Sequence, residues 1–516
     1  MNPPIFWRKI EYLIAAHQPR IPTNIGLITI TSRLGHVMNN SSPQAIATEA
    51  VTAALGQMSD VMELAQLFKT AGFEFAIVGG PVRDLILNRD INDLDFTTNA
   101  KPEQILSLVT PWADTVWDIG IAFGTVGARR KDFQVEITTY RSEIYSDDSR
   151  KPEVSFGTSL EEDLIRRDFT INAMAVKLPE LTFVDPFGGI EDLSKRVIRT
   201  PREPELSFSD DPLRMMRAAR FASQLGFTPV VDVLLAATEM SDRIKIVSAE
   251  RVRDEFSKLI MGAHPSVGLE ILEGTKLAEY VIPELPALQL EIDEHHKHKD
   301  VYEHSLIVLQ QAIDLETTHV PNCEPDLVLR LAALLHDIGK PKTRRFESGG
   351  GVSFHHHEVV GAKIARKRLV ALRYPSDVID AVCKLTELHL RFHGYGQGQW
   401  TDSAVRRYVR DAGDELVRLH KLTRADCTTR NPRRAAILAA TYDDLEDRIA
   451  ILAQQEELNS IRPDLDGNDI MTILNVPSGP MVGKAYNYLL EVRLDEGPLT
   501  REQAIERLTN WWNSQS

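Results

Sequence analysis

What this chain has little of narrows its class before any motif is read. Three cysteines, Cys323, Cys383 and Cys427, stand without paired spacing, which excludes a disulfide framework and is expected of a reducing compartment. No run of about 20 apolar residues occurs, so no helical membrane span is expected, and a cytoplasmic location is. Basic residues are outnumbered, 59 against 74 acidic, and a net charge of −15 excludes a surface coated in cations. Any nucleic-acid contact must then be local, through patches such as the arginine flank at 214–220 or residues 340–345. What remains, 43% hydrophobic and 26% charged residues over 516 positions, is the composition of a globular chain of several domains.

The most informative stretch is FAIVGGPVRDLILNRDINDLDFTT at 75–98. Its apolar start predicts a buried strand, and Gly79 and Gly80 a turn where backbone approaches a ligand closely. A helix opening at Pro81 follows, whose first-turn proline costs no hydrogen bond and whose N-terminus attracts phosphate oxygens. Asp93 and Asp95, two apart in an extended segment, point to the same side. Two neighbouring carboxylates call for cations, and Mg²⁺, which completes its shell with water and substrate phosphates, is the expected one. Glu136, in the alternating segment FQVEITTYR at 133–141, is a candidate third carboxylate from a neighbouring strand.

GGPVRDLIL followed by DINDLDFTT resembles the head of the class II tRNA nucleotidyltransferase and bacterial poly(A) polymerase family, within the polymerase-β-like nucleotidyltransferases. RRDFTINAMA at 166–175 and DDPLRMMRAARF at 210–221 follow in that family's order. The resemblance implies that Gly80 and Arg83 bind nucleotide, that Arg167 and Asp168 hold its ribose and phosphates, and that Asp211 and Arg214 select the base, with Arg217 and Arg220 beside them. A carboxylate accepting from an amino group and a guanidinium donating to a ring nitrogen match cytosine and adenine and leave buried groups unpaired against uracil and guanine. The implied substrates are tRNA, CTP and ATP, and the implied reaction is building or repairing a 3′-terminal CCA with two metal ions. Poly(A) polymerase is the nearest alternative. Relatives that polymerise A carry a Gly-Arg-Arg-Phe-like stretch after the first motif, whereas FGTVG at 123–127 stands here.

A second constellation follows. His304, His336, Asp337, His357, His389 and Asp426 occur in the order of an HD-type metal phosphohydrolase, with HDIGKP at 336–341 closing an apolar helix. A further divalent ion is expected there, and a hydrolase with an inactive nucleotide-binding head is the alternative from another class. His295, His296 and His298 read as solvent-facing or tRNA-adjacent.

The expected fold is α+β: a polymerase-β-like head with a small mixed sheet, then all-α neck, HD domain and tail. Boundaries are placed at 48–200 for the head, 201–290 for the neck, 291–435 for the HD domain and 436–516 for the tail. Residues 1–47, nearly devoid of acids, weakly resemble a transit peptide; a disordered extension or an upstream start codon is the stronger expectation.

Overall fold

The computed structural model describes residues 43–91, 94–117, 124–131, 133–144, 153–157, 159–289, 301–348, 351–392, 400–429, 431–455 and 461–515. Asp93, Phe123 and the histidines at 295, 296 and 298 lie outside the described residues. The chain divides into two compact units, one up to Val281 and one from Ile282.

In the first unit the strands are β1 (Phe75–Val78), β2 (Leu94–Thr98), β3 (Thr115–Trp117), β4 (Thr125–Arg130), β5 (Phe133–Thr139), β6 (Arg141–Ile144), β7 (Glu153–Phe156), β8 (Ala175–Leu178) and β9 (Thr182–Val184). Seven of them form one mixed sheet in the order β3-β4-β5-β2-β1-β8-β9, while β6 and β7 pair separately. Only β2 and β5 run parallel; their neighbours pair antiparallel.

Alternation decides the faces. Phe75 and Phe96 stack on one face, at 4.6 Å between centroids, and Phe68 of the helix Ser59–Thr70 stacks on Phe75 at 4.3 Å. Leu94, Val135 and Ile137 share that buried face. Burying such side chains stabilises by about 1.5–3 kcal/mol each. The other face carries Asp95, Glu136, Thr138 and Thr125 on β2, β5 and β4.

Behind the sheet the unit turns helical. Leu213–Leu225, which ends at Gly226 in the left-handed region, packs against Ala249–Ile260 and Pro265–Gly274. A two-residue parallel pairing of Val197–Ile198 with Thr228–Pro229 interrupts the expected all-α neck.

The second unit is a helical array that includes Val301–Thr318, Leu327–Leu335, His357–Ala371, Ser376–Leu388 and Leu416–Ala425, with Arg345–Phe346 pairing antiparallel to Val352–Ser353. Its last three helices, Gly467–Leu474, Pro480–Glu496 and Arg501–Ser514, share a small core of Leu465, Ile470, Ala485, Leu489, Ala504 and Leu508. Asp466 caps the first of them by accepting from the amides of Asn468 and Asp469.

Gly339 fixes one close approach. A Cβ there would overlap the carbonyl oxygen of His357 and stand 2.7 Å from the amide nitrogen of Gly361, backbone atoms that cannot swing away. Gly339→Ala is therefore expected to destabilise this unit by about 1–3 kcal/mol, read as a lower denaturant midpoint with an unchanged slope.

Candidate functional site

The head site is built along one rung of the sheet. Parallel pairing sets Asp95 of β2 opposite Glu136 of β5. Cross-strand partners share a face at about 5 Å between strands, so the two carboxylates stand side by side, Asp95 half-buried and Glu136 exposed. The expected third carboxylate thus sits beside Asp95 in register.

Next along the rung comes the glycine turn. β1 is antiparallel to β2 with Ile77 opposite Phe96, so the end of β1 delivers Gly79 beside the start of β2. Gly79 has φ 78°, and its N–H donates to the Met174 carbonyl at 3.2 Å. A Cβ on Gly79 would lie 2.6 Å from a terminal nitrogen of Arg167, so that guanidinium rests directly on the turn. The helix Gly80–Ile86 follows, with Pro81 in its first turn.

Arg83 is held inside the protein. Its guanidinium donates to Asp84 at 2.7 Å and to Asn172 Oδ1 at 2.5 Å, and it lies over the Phe221 ring. Asn172 also donates to Asp168 Oδ1 at 2.9 Å, which ties the first motif to the second. Asp168 pairs with Arg217 at 2.7 Å; burial opposes its charge, but that arginine and the Asn172 hydrogen bond keep the carboxyl below its ordinary range. Asp163, fully buried, pairs with Arg166 at 2.7 Å and Arg167 at 3.2 Å, and those two cations likewise outweigh burial and keep it ionised. Its spacing of three and four residues ahead of the arginines was visible in the sequence; the role of Asn172 was not.

The third motif differs from expectation. Arg214, Arg217 and Arg220 do not form a solvated flank open to RNA. Arg214 is buried and donates to Ser207 Oγ at 2.9 Å and to the Arg166 carbonyl. Arg220 is buried against Glu255 at 3.1 Å, and burial lowers its pKa to about 10. Helical spacing placed the three together without telling which side the core would take. Asp211 caps the helix through Leu213 N at 3.1 Å and pairs with Arg251 at 2.8 Å, a partner 40 residues away that no local pattern flagged.

The second unit gathers all six expected metal ligands. His336 follows the helix Leu327–Leu335, His389 follows Ser376–Leu388, His357 opens His357–Ala371 and Asp426 follows Leu416–Ala425. Two triads of ligand atoms form, His304–His336–Asp337 and Asp337–His357–His389, and they share Asp337. Asp337 Oδ2 faces His336 Nε2 at 3.2 Å and His304 Nε2 at 3.5 Å, while Oδ1 faces His357 Nε2 at 3.1 Å and His389 Nε2 at 3.9 Å. Asp426 stands 3.0 Å from His304 Nε2.

The protonation of the rings is set from behind. His336, His357 and His389 donate Nδ1–H to the carbonyls of Ala333, Phe354 and Thr386 at 2.8, 2.8 and 2.7 Å. This leaves Nε2 lone pairs turned toward carboxylate lone pairs, an arrangement that requires a cation between them, either a proton or a metal ion. Burial disfavours a charged His336, yet Asp337 and Asp426 carry it up to about 9. Burial, with the nearby charge of His336, pushes His389 down to about 3. Lys340 closes the site at 2.5 Å from Asp337 Oδ2.

Comparison with known proteins gives matches in both units. Residues 75–199 match the poly A polymerase head domain, 226–288 the probable RNA and SrmB-binding site of polymerase A, and 301–431 the HD domain. A CCA-adding enzyme of Lactobacillus helveticus is 43% identical over 221 residues, 43% of this chain and 54% of that protein. The chain thus spans about half the length of the first curated relatives it matches. An A-adding tRNA nucleotidyltransferase of Deinococcus radiodurans is 35% identical over 360 residues, 68% of this chain and 80% of the relative. The crystal structure of the Bacillus stearothermophilus CCA-adding enzyme in complex with CTP superposes with a TM-score of 0.64 at 26% identity, covering 89% of this chain and 98% of that one. The chain belongs to the tRNA nucleotidyltransferase/poly(A) polymerase family, with an HD domain following the head.

Proposed function

We propose that this protein is a CCA tRNA nucleotidyltransferase, which adds and repairs the 3′ end of tRNA from CTP and ATP. The observation that carries the reading is that Glu136, Asp95 and the Arg167-covered Gly79 turn follow one another on the adjacent strands β5, β2 and β1. Asp95 and Glu136, with Asp93, offer an all-oxygen donor set of the kind Mg²⁺ prefers. Ions held there would neutralise phosphate charge and polarise the attacking hydroxyl. Arg167 at the turn would receive phosphate oxygens, as Arg–phosphate pairing favours. Asp211 and Arg214 remain the proposed base-selecting pair, with Arg251 steadying the Asp211 carboxylate. The head relatives named CCA-adding enzymes support this over poly(A) synthesis, and a cytoplasmic site of action goes with it.

The HD centre supports a second, independent activity. The nitrogen-rich set of His304, His336, Asp337, His357 and His389 would hold divalent transition metal, which would supply Lewis-acid chemistry suited to phosphoester hydrolysis.

Incubation with tRNA lacking its last three nucleotides and labelled CTP or ATP tests the first reading. Addition that stops after C-C-A supports it. An A ladder would support the polymerase, acceptance of A alone by a C-C end would support an A-adding enzyme, and no incorporation would leave only the hydrolase. Asp95→Asn is expected to reduce incorporation to background while leaving HD-bound metal intact. His336→Ala is expected to lose transition metal, measured by plasma mass spectrometry, and to keep incorporation. Loss of incorporation in His336→Ala would contradict two separate sites.

A further inference from the structure

One aromatic residue on the head's open face has no part in the scheme so far. Trp117 ends β3 opposite Gly127 of β4, Gly127 is opposite Glu136 of β5, and Glu136 is opposite Asp95. Partners across successive strands keep to one face, so the indole, Gly127 and both carboxylates lie in a single row. A Cβ on Gly127 would overlap Nε1, Cε2 and Cζ2 of Trp117, so the ring leans over the glycine toward the carboxylates. Gly127, which the ring covers, is one strand spacing, about 5 Å, from Glu136. Trp117 is half-buried rather than packed away.

Direction gives this position meaning. The Gly79 turn and Arg167, proposed to hold the triphosphate, stand on the β1 side of the carboxylates. Phosphoryl transfer places the attacking and leaving oxygens roughly in line. The RNA end that supplies the attacking 3′-hydroxyl must then approach from the opposite side, over β5, β4 and β3, where Trp117 lies. Arg141, which donates to Thr125 Oγ1 at 2.9 Å, adds positive charge beside the same face.

We propose that Trp117 is a stacking platform for the base of the tRNA's 3′-terminal nucleotide, holding its ribose hydroxyl toward the Asp95–Glu136 pair. The inference rests on the nucleotidyltransferase reading. Aromatic stacking tolerates any base, which is what a site that must accept successive, different 3′ ends requires. Gly127 is the condition for it, since any side chain there would lift the ring.

The test uses the full chain and tRNA ending one nucleotide short. Trp117→Ala should raise KM for tRNA about tenfold or more and leave KM for the triphosphate unchanged, and Trp117→Phe should restore most of the loss. Gly127→Ala, which keeps the tryptophan but displaces it, should reproduce the Trp117→Ala defect. A terminal pyrrolocytosine on the tRNA should be quenched on binding the wild type and less so on binding Trp117→Ala, a readout independent of turnover. Unchanged tRNA KM, equal rises in both KM values, or identical quenching in the two proteins would overturn the inference. Failure of the wild type to extend tRNA would instead overturn the function on which it rests.

Discussion

Two carboxylates held side by side are the constraint around which the head is organised. Parallel pairing of β2 with β5 fixes Asp95 beside Glu136 at about one strand spacing, where like charges repel by about 1–3 kcal/mol near a protein surface. The stacked rings of Phe68, Phe75 and Phe96 on the reverse face oppose any slip of that register. A one-residue shift of β2 would turn Asp95 into the core and Phe96 outward. Two carboxylates so placed offer the oxygen ligands that a metal-assisted phosphoryl-transfer site needs. The same logic governs the second unit, where Nε2 lone pairs of His336 and His357 confront the two oxygens of Asp337.

Around the head rung, the arginines of the three motifs do more joining than reaching. Arg83 meets Asn172, Asn172 meets Asp168, Asp168 meets Arg217, and Arg214 meets the backbone of Arg166. Removing one member of a buried pair strands a charge and costs about 3–5 kcal/mol. Substitutions at these positions will thus mix stability with catalysis. Arg167, resting on Gly79, and Asp211, steadied by the exposed Arg251, are the motif residues proposed to meet the nucleotide.

Local features were legible in the sequence and long-range ones were not. The strand at 75–78, the glycine turn and the first-turn proline follow from residue type and short spacing, and the HD ligand set from the resemblance of its order to HD-type phosphohydrolases. The inward turn of Arg214 and Arg220 was missed because a three-residue period defines a flank but not its neighbour. Glu136 could be read only as a candidate, because its pairing with Asp95 joins strands 41 residues apart. The sharing of Asp337 between two triads depends on which oxygen faces which ring, a matter of helix packing. Trp117 went unremarked since its significance lies in a glycine ten residues on and in two further strand registers.

The central claim, that metal ions on the Asp95–Glu136 row engage the reacting phosphate, is tested most directly by sulfur substitution. CTP carrying sulfur at a non-bridging α-phosphate oxygen should be added to tRNA slowly with Mg²⁺ and much faster with the softer Mn²⁺ or Cd²⁺, and Glu136→Gln should diminish that rescue. Equal rates with all three ions, for a thio-substituted nucleotide that is incorporated more slowly than CTP, would contradict the account.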